Sequence, residues 1–171
     1  MQELYSGYGW TITLEEGKLP DGRVKNAARA KRADSVHLLA FPEERKVMLL
    51  REFRPFYGQY LWMLPSGRVD KESDIRSAAQ RELQEETGYR AAELQHYCTV
   101  YQSESLILAN HIFLARELSP SPLPQDPDEL IEVHVFPLEE ALEKVLSSPI
   151  VHTPSAFALL RYEREFGRRT K

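Results

Sequence analysis

Gly67-Arg68-Val69-Asp70-Lys71-Glu72-Ser73, continued by Arg81-Glu82-Leu83-Gln84-Glu85-Glu86-Thr87-Gly88-Tyr89, says more about the fold than any other part of the chain. From Ser73 to Thr87 the apolar spacing is helical, with Ser73 expected as N-cap, Asp74 as a first-turn acid and Gly88 as the stop. At about 100° per residue, Glu86 lies about 40° from Glu82 and Glu85 about 60° to the other side, so three carboxylates share an arc of roughly 100°. Ile75, Ala79 and Leu83 fall beside them, and the acidic arc borders the buried face. Like charges converging on a helix C-terminus oppose the macrodipole and call for compensation. Divalent cations supply it: clustered carboxylate oxygens are hard ligands suited to Mg²⁺ or Mn²⁺, and such ions bring substrate phosphates with them. A solvated glutamate-rich face would use the same residues. Against that stands the order Arg-Glu-x-x-Glu-Glu-x-Gly, which average composition produces by chance with a probability on the order of 10⁻⁴ in a chain of this size.

Outward from this stretch, short strands come first. Trp10 to Leu14 alternates, and the turn signal Lys18 to Arg23 predicts an N-terminal hairpin. The apolar runs Val36 to Phe41 and Lys46 to Phe53, split by Pro42-Glu43-Glu44-Arg45, predict a second hairpin, and Tyr60 to Leu64 is a short buried strand ended by Pro65. Beyond the helix, His96 to Tyr101, Leu106 to Ala115 and Ile131 to Phe136 read as strands, and Leu138 to Leu146 and Pro154 to Phe166 as helices. The four prolines between Ser119 and Asp128 predict a stiff exposed loop.

The chain has 171 residues, 42% hydrophobic and 28% charged, which predicts one globular domain. A net charge of −4 argues against nucleic acid or an anionic membrane surface as partner. Cys98 is the only cysteine, so no internal disulfide can form, and without a basic leader or a run of about 18 apolar residues a cytoplasmic setting is expected. His37, His96, His111, His134 and His152 show no close i, i+4 pairing and are expected at the core edge or surface instead of on a metal.

The segment from Gly67 to Tyr89 resembles the Nudix hydrolase box, Gly-x5-Glu-x7-Arg-Glu-U-x-Glu-Glu-x-Gly-U, with U a bulky apolar residue. Gly67, Arg81, Glu82, Leu83, Glu85, Glu86, Gly88 and Tyr89 match, whereas Ser73, with Glu72 beside it, stands where the box has its first glutamate. Leu49-Leu50-Arg51-Glu52-Phe53-Arg54-Pro55 and Trp62-Met63-Leu64-Pro65-Ser66-Gly67 are similar to segments of ADP-ribose and nucleoside-diphosphate-sugar pyrophosphatases. The resemblance implies an α/β fold, an α/β/α sandwich with a mixed sheet over residues 35–171, preceded by a β extension over residues 1–34 that exchanges strands in a homodimer.

It further implies Mg²⁺-dependent hydrolysis of the pyrophosphate of a nucleoside diphosphate sugar. Glu82, Glu85, Glu86 and the Ser66 carbonyl would hold metal, with Mn²⁺ as a substitute, and Arg81 would orient the glutamates. Arg54 and Arg51 would face the pyrophosphate, and Trp10 would stack the base. The general base is expected on the late acidic loop, at Glu129, with Asp126 and Asp128 as neighbours. The subgroup's Ser-Pro-Gly is missing near Ser103-Glu104-Ser105-Leu106, which makes Glu104 a rival. A dinucleoside polyphosphate or oxidised nucleotide as substrate, or a non-hydrolysing nucleotide-sugar sensor, are the alternatives; the intact glutamates argue against the sensor.

Overall fold

Two apolar runs without a polar face, Val36–Phe41 and Val47–Leu50, set the layers of the fold. The computed structural model describes residues 1–71 and 74–167. Its strands are β1 (Gln2–Gly7), β2 (Trp10–Lys18), β3 (Val24–Lys31), β4 (Ser35–Ala40), β5 (Lys46–Arg54), β6 (Gln59–Met63), β7 (Ser66–Arg68), β8 (Tyr89–Tyr101), β9 (Leu106–Ile107), β10 (Ala109–Pro120) and β11 (Ile131–Pro137). The helices are α1 (Ile75–Thr87), α2 (Leu138–Leu146) and α3 (Thr153–Tyr162), the last followed by a π-helical turn, Glu163–Gly167. Side chains alternate across a strand. Val36, Leu38 and Ala40 of β4 therefore pack on one side with Ala78, Ala79 and Leu83 of α1. Leu39 and Phe41 pack on the other with Leu138, Ala141 and Val145 of α2 and Leu159 of α3. Helix, strand layer, helix is the α/β/α sandwich expected from the sequence.

The strands form a mixed sheet β7-β4-β10-β8, in which β4 and β10 run parallel, and an antiparallel sheet β11-β5-β6. The predicted hairpin of β4 and β5 does not exist, because the two strands belong to different sheets. A hairpin arm keeps one face wet, and neither run has a polar face to offer. The N-terminal hairpin does form, as β2 and β3, and is joined by β1, which has too little alternation to be read from sequence. The turn between β1 and β2 places Tyr8 and Gly9 at φ 51° and 76°. This N-terminal sheet is not detached: β9 pairs in parallel with Ala30 and Lys31 of β3. Among the described residues, no helix is long and apolar enough to cross a membrane.

Candidate active site

Helix α1 begins with Asp74 as its cap, one residue later than expected: Asp74 Oδ1 accepts from the backbone N–H of Arg76 and Ser77, both at 2.9 Å. Ser73, expected in that role, and its neighbour Glu72 lie outside the described residues. The helix ends on Gly88 at φ 78°, whose N–H reaches Gln84 O, a left-handed closure that favours glycine.

Between those ends, the acidic arc is buried. Glu82 and Glu86 are 9% and 6% exposed. Ser66 N–H donates to Glu86 Oε2 at 2.7 Å, tying the β6–β7 turn to the helix. Gly67 lies flat against Glu82, and a β-carbon there would fall on its carboxylate. The box glycine is thus a requirement of close approach. Arg81 Nη1 is 2.8 Å from Glu82 Oε1 and 2.5 Å from Glu85 Oε2, and its Nη2 donates to the Arg68 carbonyl at 3.1 Å. Burial pushes the Glu82 carboxyl up to about 7 despite Arg81. Glu86 is driven well above the usual carboxylate range, first by burial and then by the charge of Glu82.

These groups line a cleft of about 450 Å³. Across it stand Glu129 and Asp126, from the loop before β11, and Arg54, from the end of β5. Arg54 Nη2 is 3.0 Å from the buried Glu52 carboxylate and donates to Met63 Sδ at 3.2 Å, so its head is held in place. Glu129 is an exposed residue whose carboxyl is raised first by partial desolvation at the cleft, with Asp126 and Glu85 adding to the shift and Arg54 opposing it.

Several residues expected here lie elsewhere. Arg51 points to the opposite face of β5 from Glu52 and Arg54, where it bonds Glu132 at 3.0 and 3.1 Å and covers the Tyr60 ring at 3.9 Å. The two-residue period of the strand excludes it from the cleft. Glu104 pairs with Lys25 at 3.1 Å beside the N-terminal sheet, and neither it nor Asp128 lines the cleft. Trp10 is also outside, with the Arg32 guanidinium over its ring at 5.2 Å; Arg32 itself reaches the cleft. Sequence reading missed Arg32, Lys71, Asn110 and two of the histidines, His37 and His152, which come to the cleft from four separate segments with no local pattern. Burial lowers both imidazoles, His37 to about 4 and His152 to about 3.

As they stand, no three histidine, cysteine or carboxylate side chains among the described residues form a closed metal cage. Arg81 instead stands as the cation between Glu82 and Glu85. The donor chemistry nevertheless fits a hard divalent ion: three carboxylates on one arc, two of them buried against their own ionisation, with a backbone turn fastened beside them. With a cation bound, such a site can take polyanions in a protein of net charge −4, with the Glu129 carboxylate lining the same cleft.

Comparison with known proteins agrees with this geometry. Residues 31–154 match the NUDIX domain. The chain is 31% identical over 161 residues to the ADP-ribose pyrophosphatase of Bacillus subtilis, spanning 92% of this chain and 87% of that protein. It is 24% identical over 164 residues to the methanol dehydrogenase activator of Bacillus methanolicus, again over 92% and 87%. A crystal structure of an ADP compounds hydrolase superposes with a TM-score of 0.79 at 20% identity, covering 99% of this chain and 94% of the other, a likeness of fold. The arginine–glutamate helix, the glycine packed against it and the sandwich that presents both thus have one common source: the chain belongs to the Nudix hydrolase family.

Proposed function

We propose that the chain hydrolyses the pyrophosphate bond of a nucleoside diphosphate sugar, with ADP-ribose as the first candidate, giving a nucleoside monophosphate and a sugar phosphate. The observation that carries this reading is one cleft holding the α1 carboxylates, the braced Arg54 and the raised Glu129. The activity for which the Bacillus subtilis ADP-ribose pyrophosphatase is named supports the choice of substrate. Glu82, Glu85, Glu86 and the Ser66 carbonyl are the residues that would hold Mg²⁺ or Mn²⁺, which when bound supplies charge neutralisation at phosphate oxygens and a more acidic water. Arg54 binds the diphosphate, and the Glu52 carboxylate keeps its guanidinium from swinging away. Arg81 fixes Glu82 and Glu85. Glu129 accepts the proton of the attacking water, a task suited to a carboxylate whose proton affinity is raised.

Incubation with ADP-ribose, GDP-mannose and UDP-glucose, with Mg²⁺ and with EDTA, tests this reading. The expected products are AMP and ribose 5-phosphate, absent with EDTA. Failure to cleave any diphosphate sugar overturns it.

The reading includes residues 1–34 as an extension to a hydrolase domain over residues 35–171, a homodimer built through that extension, and a cytoplasmic setting; neither nucleic acid nor membrane is a partner in it. In support of the dimer, Leu4, Tyr5, Tyr8 and Val24 of the N-terminal sheet are 44–97% exposed, apolar surface suited to a second copy of the chain. Light scattering is expected to show a dimer that removal of residues 1–30 converts to monomer with weaker substrate binding. A monomeric full-length chain refutes it.

A further inference from the structure

Beside the carboxylates, the cleft has a polar wall that the proposed chemistry leaves unused. Asn110 is buried and donates from Nδ2 to the Val100 carbonyl at 3.4 Å, which leaves its Oδ1 as an acceptor. Ser35 Oγ donates to that oxygen at 2.9 Å, and His37 Nε2 is 3.1 Å from both. An oxygen that only accepts requires a proton on His37 Nε2. In the neutral ring, Nδ1 is then a bare lone pair, and it is buried with no hydrogen-bond partner among the described residues. His152 is set the other way. Ser155 Oγ accepts the Leu64 N–H at 2.9 Å, so its own proton is available to His152 Nδ1, 2.7 Å away. The ring proton of His152 then sits on Nε2. The two rings are neighbours, with centroids 5.4 Å apart.

Both rings line the cleft, and a bare acceptor on one with a donor on its neighbour complements a group that both gives and receives a hydrogen bond. A phosphate oxygen only accepts and would meet the lone pair of His37 unfavourably; a hydroxyl satisfies both rings. An unpartnered buried polar atom is costly, which makes its pairing by ligand favourable. We propose that His37 Nδ1 and His152 Nε2–H form a hydroxyl subsite that recognises a sugar hydroxyl of the diphosphate substrate. This rests on the function proposed above and adds the residues that set its selectivity.

Two measurements test it. The first is the ratio of kcat/KM for ADP-ribose to that for the methyl ester of ADP, which keeps the diphosphate and lacks the second sugar. Leaving one buried hydrogen-bonding group unpaired typically costs about 5- to 150-fold, so His152→Phe and His37→Gln are expected to reduce the ratio by a factor in that range, through KM more than kcat. A wild-type enzyme without preference, or variants that lose both substrates equally, overturns the subsite. The second uses the wild-type protein and needs no turnover: ¹⁵N resonances of the two imidazoles. His37 Nδ1 is expected to read as unprotonated and to shift on addition of ADP-ribose and not of ADP. Identical responses to the two ligands, or none, overturn the proposal. A selective shift without hydrolysis would instead remove the proposed function and leave the subsite standing.

Discussion

Glu82 and Glu86 of α1 are carboxylates held away from water, whereas Tyr5 and Tyr8 of the N-terminal sheet are aromatic rings left in it. Each arrangement is locally unfavourable, and the two are unfavourable in opposite senses: the helix buries charge it cannot neutralise alone, and the sheet exposes apolar surface it cannot cover alone. In the first, Arg81 is one cation set against two of three carboxylates; in the second, the rings stand in water. What separates them is tolerance. At Gly67, against α1, an added β-carbon would displace the Glu82 carboxylate, while at Gly17 in β2 it has room.

The largest expected effect tests the buried charge. Glu86→Gln should lower turnover by about 10² or more with the fold intact. It should also raise the melting temperature of the metal-free protein at pH 7. The sign follows from linkage: the folded-state affinity of Glu86 for a proton is raised, so the native protein binds more protons than the unfolded chain and loses stability as pH rises above 4.5. The variant-minus-wild-type difference should therefore grow with pH. His37 and His152, lowered in the fold, contribute the opposite slope, stability gained as pH rises toward 6.5, and cancel in that difference. Thermal melts with and without Mg²⁺ check this; near-normal turnover would remove Glu86 from the site.

Next come two glycines. Gly67→Ala drives a β-carbon into Glu82 and should cost about 1–3 kcal/mol together with most activity. Gly17→Ala in β2 meets nothing closer than the Lys25 carbonyl at 3.8 Å and should stay within about 0.5 kcal/mol of wild type. Equal losses in urea unfolding would erase the contrast between the regions. Smaller again, Asp74→Ala removes the α1 cap and should cost about 1 kcal/mol, read in the same titration. Smallest of all is Glu104→Ala. Its partner Lys25 is a surface lysine, so a change below about 0.5 kcal/mol is expected, with no effect on kcat, since Glu104 is away from the cleft. A large fall in kcat would restore Glu104 as a base.

The same contrast explains what could be read without coordinates. Glu82, Glu85 and Glu86 were legible because helical spacing fixes them on one arc, and Gly67 because it matches the box the segment resembles. Arg54 and Arg51 were both expected at the pyrophosphate, although residues three apart in a strand face opposite sides, and only the fold shows which side of β5 meets the cleft. Glu129 stood among three acids of one loop, and only the fold shows that it and Asp126, not Asp128, face the cleft. Runs buried on both faces hide their partners, hence the false hairpin of β4 and β5. His37, Asn110 and His152 span more than a hundred residues of chain, and no local pattern announces a wall assembled from β4, β10 and the start of α3.

The parallel pairing of β3 with β9 carries a consequence for the order in which the molecule is made. Lys31 of β3 waits for Ile107, about 75 residues later, before its outer edge is covered. At roughly 5–20 residues per second, a ribosome leaves that edge open for on the order of 4–15 s. A bare strand edge invites pairing with other nascent chains, and charged side chains along it discourage this. Lys25, Arg29, Lys31 and Arg32 crowd that stretch with positive charge. Until Leu106 and Ile107 emerge, those four cations are its protection on the growing chain, with Arg29 alone already able to meet its partner, Glu15 of β2.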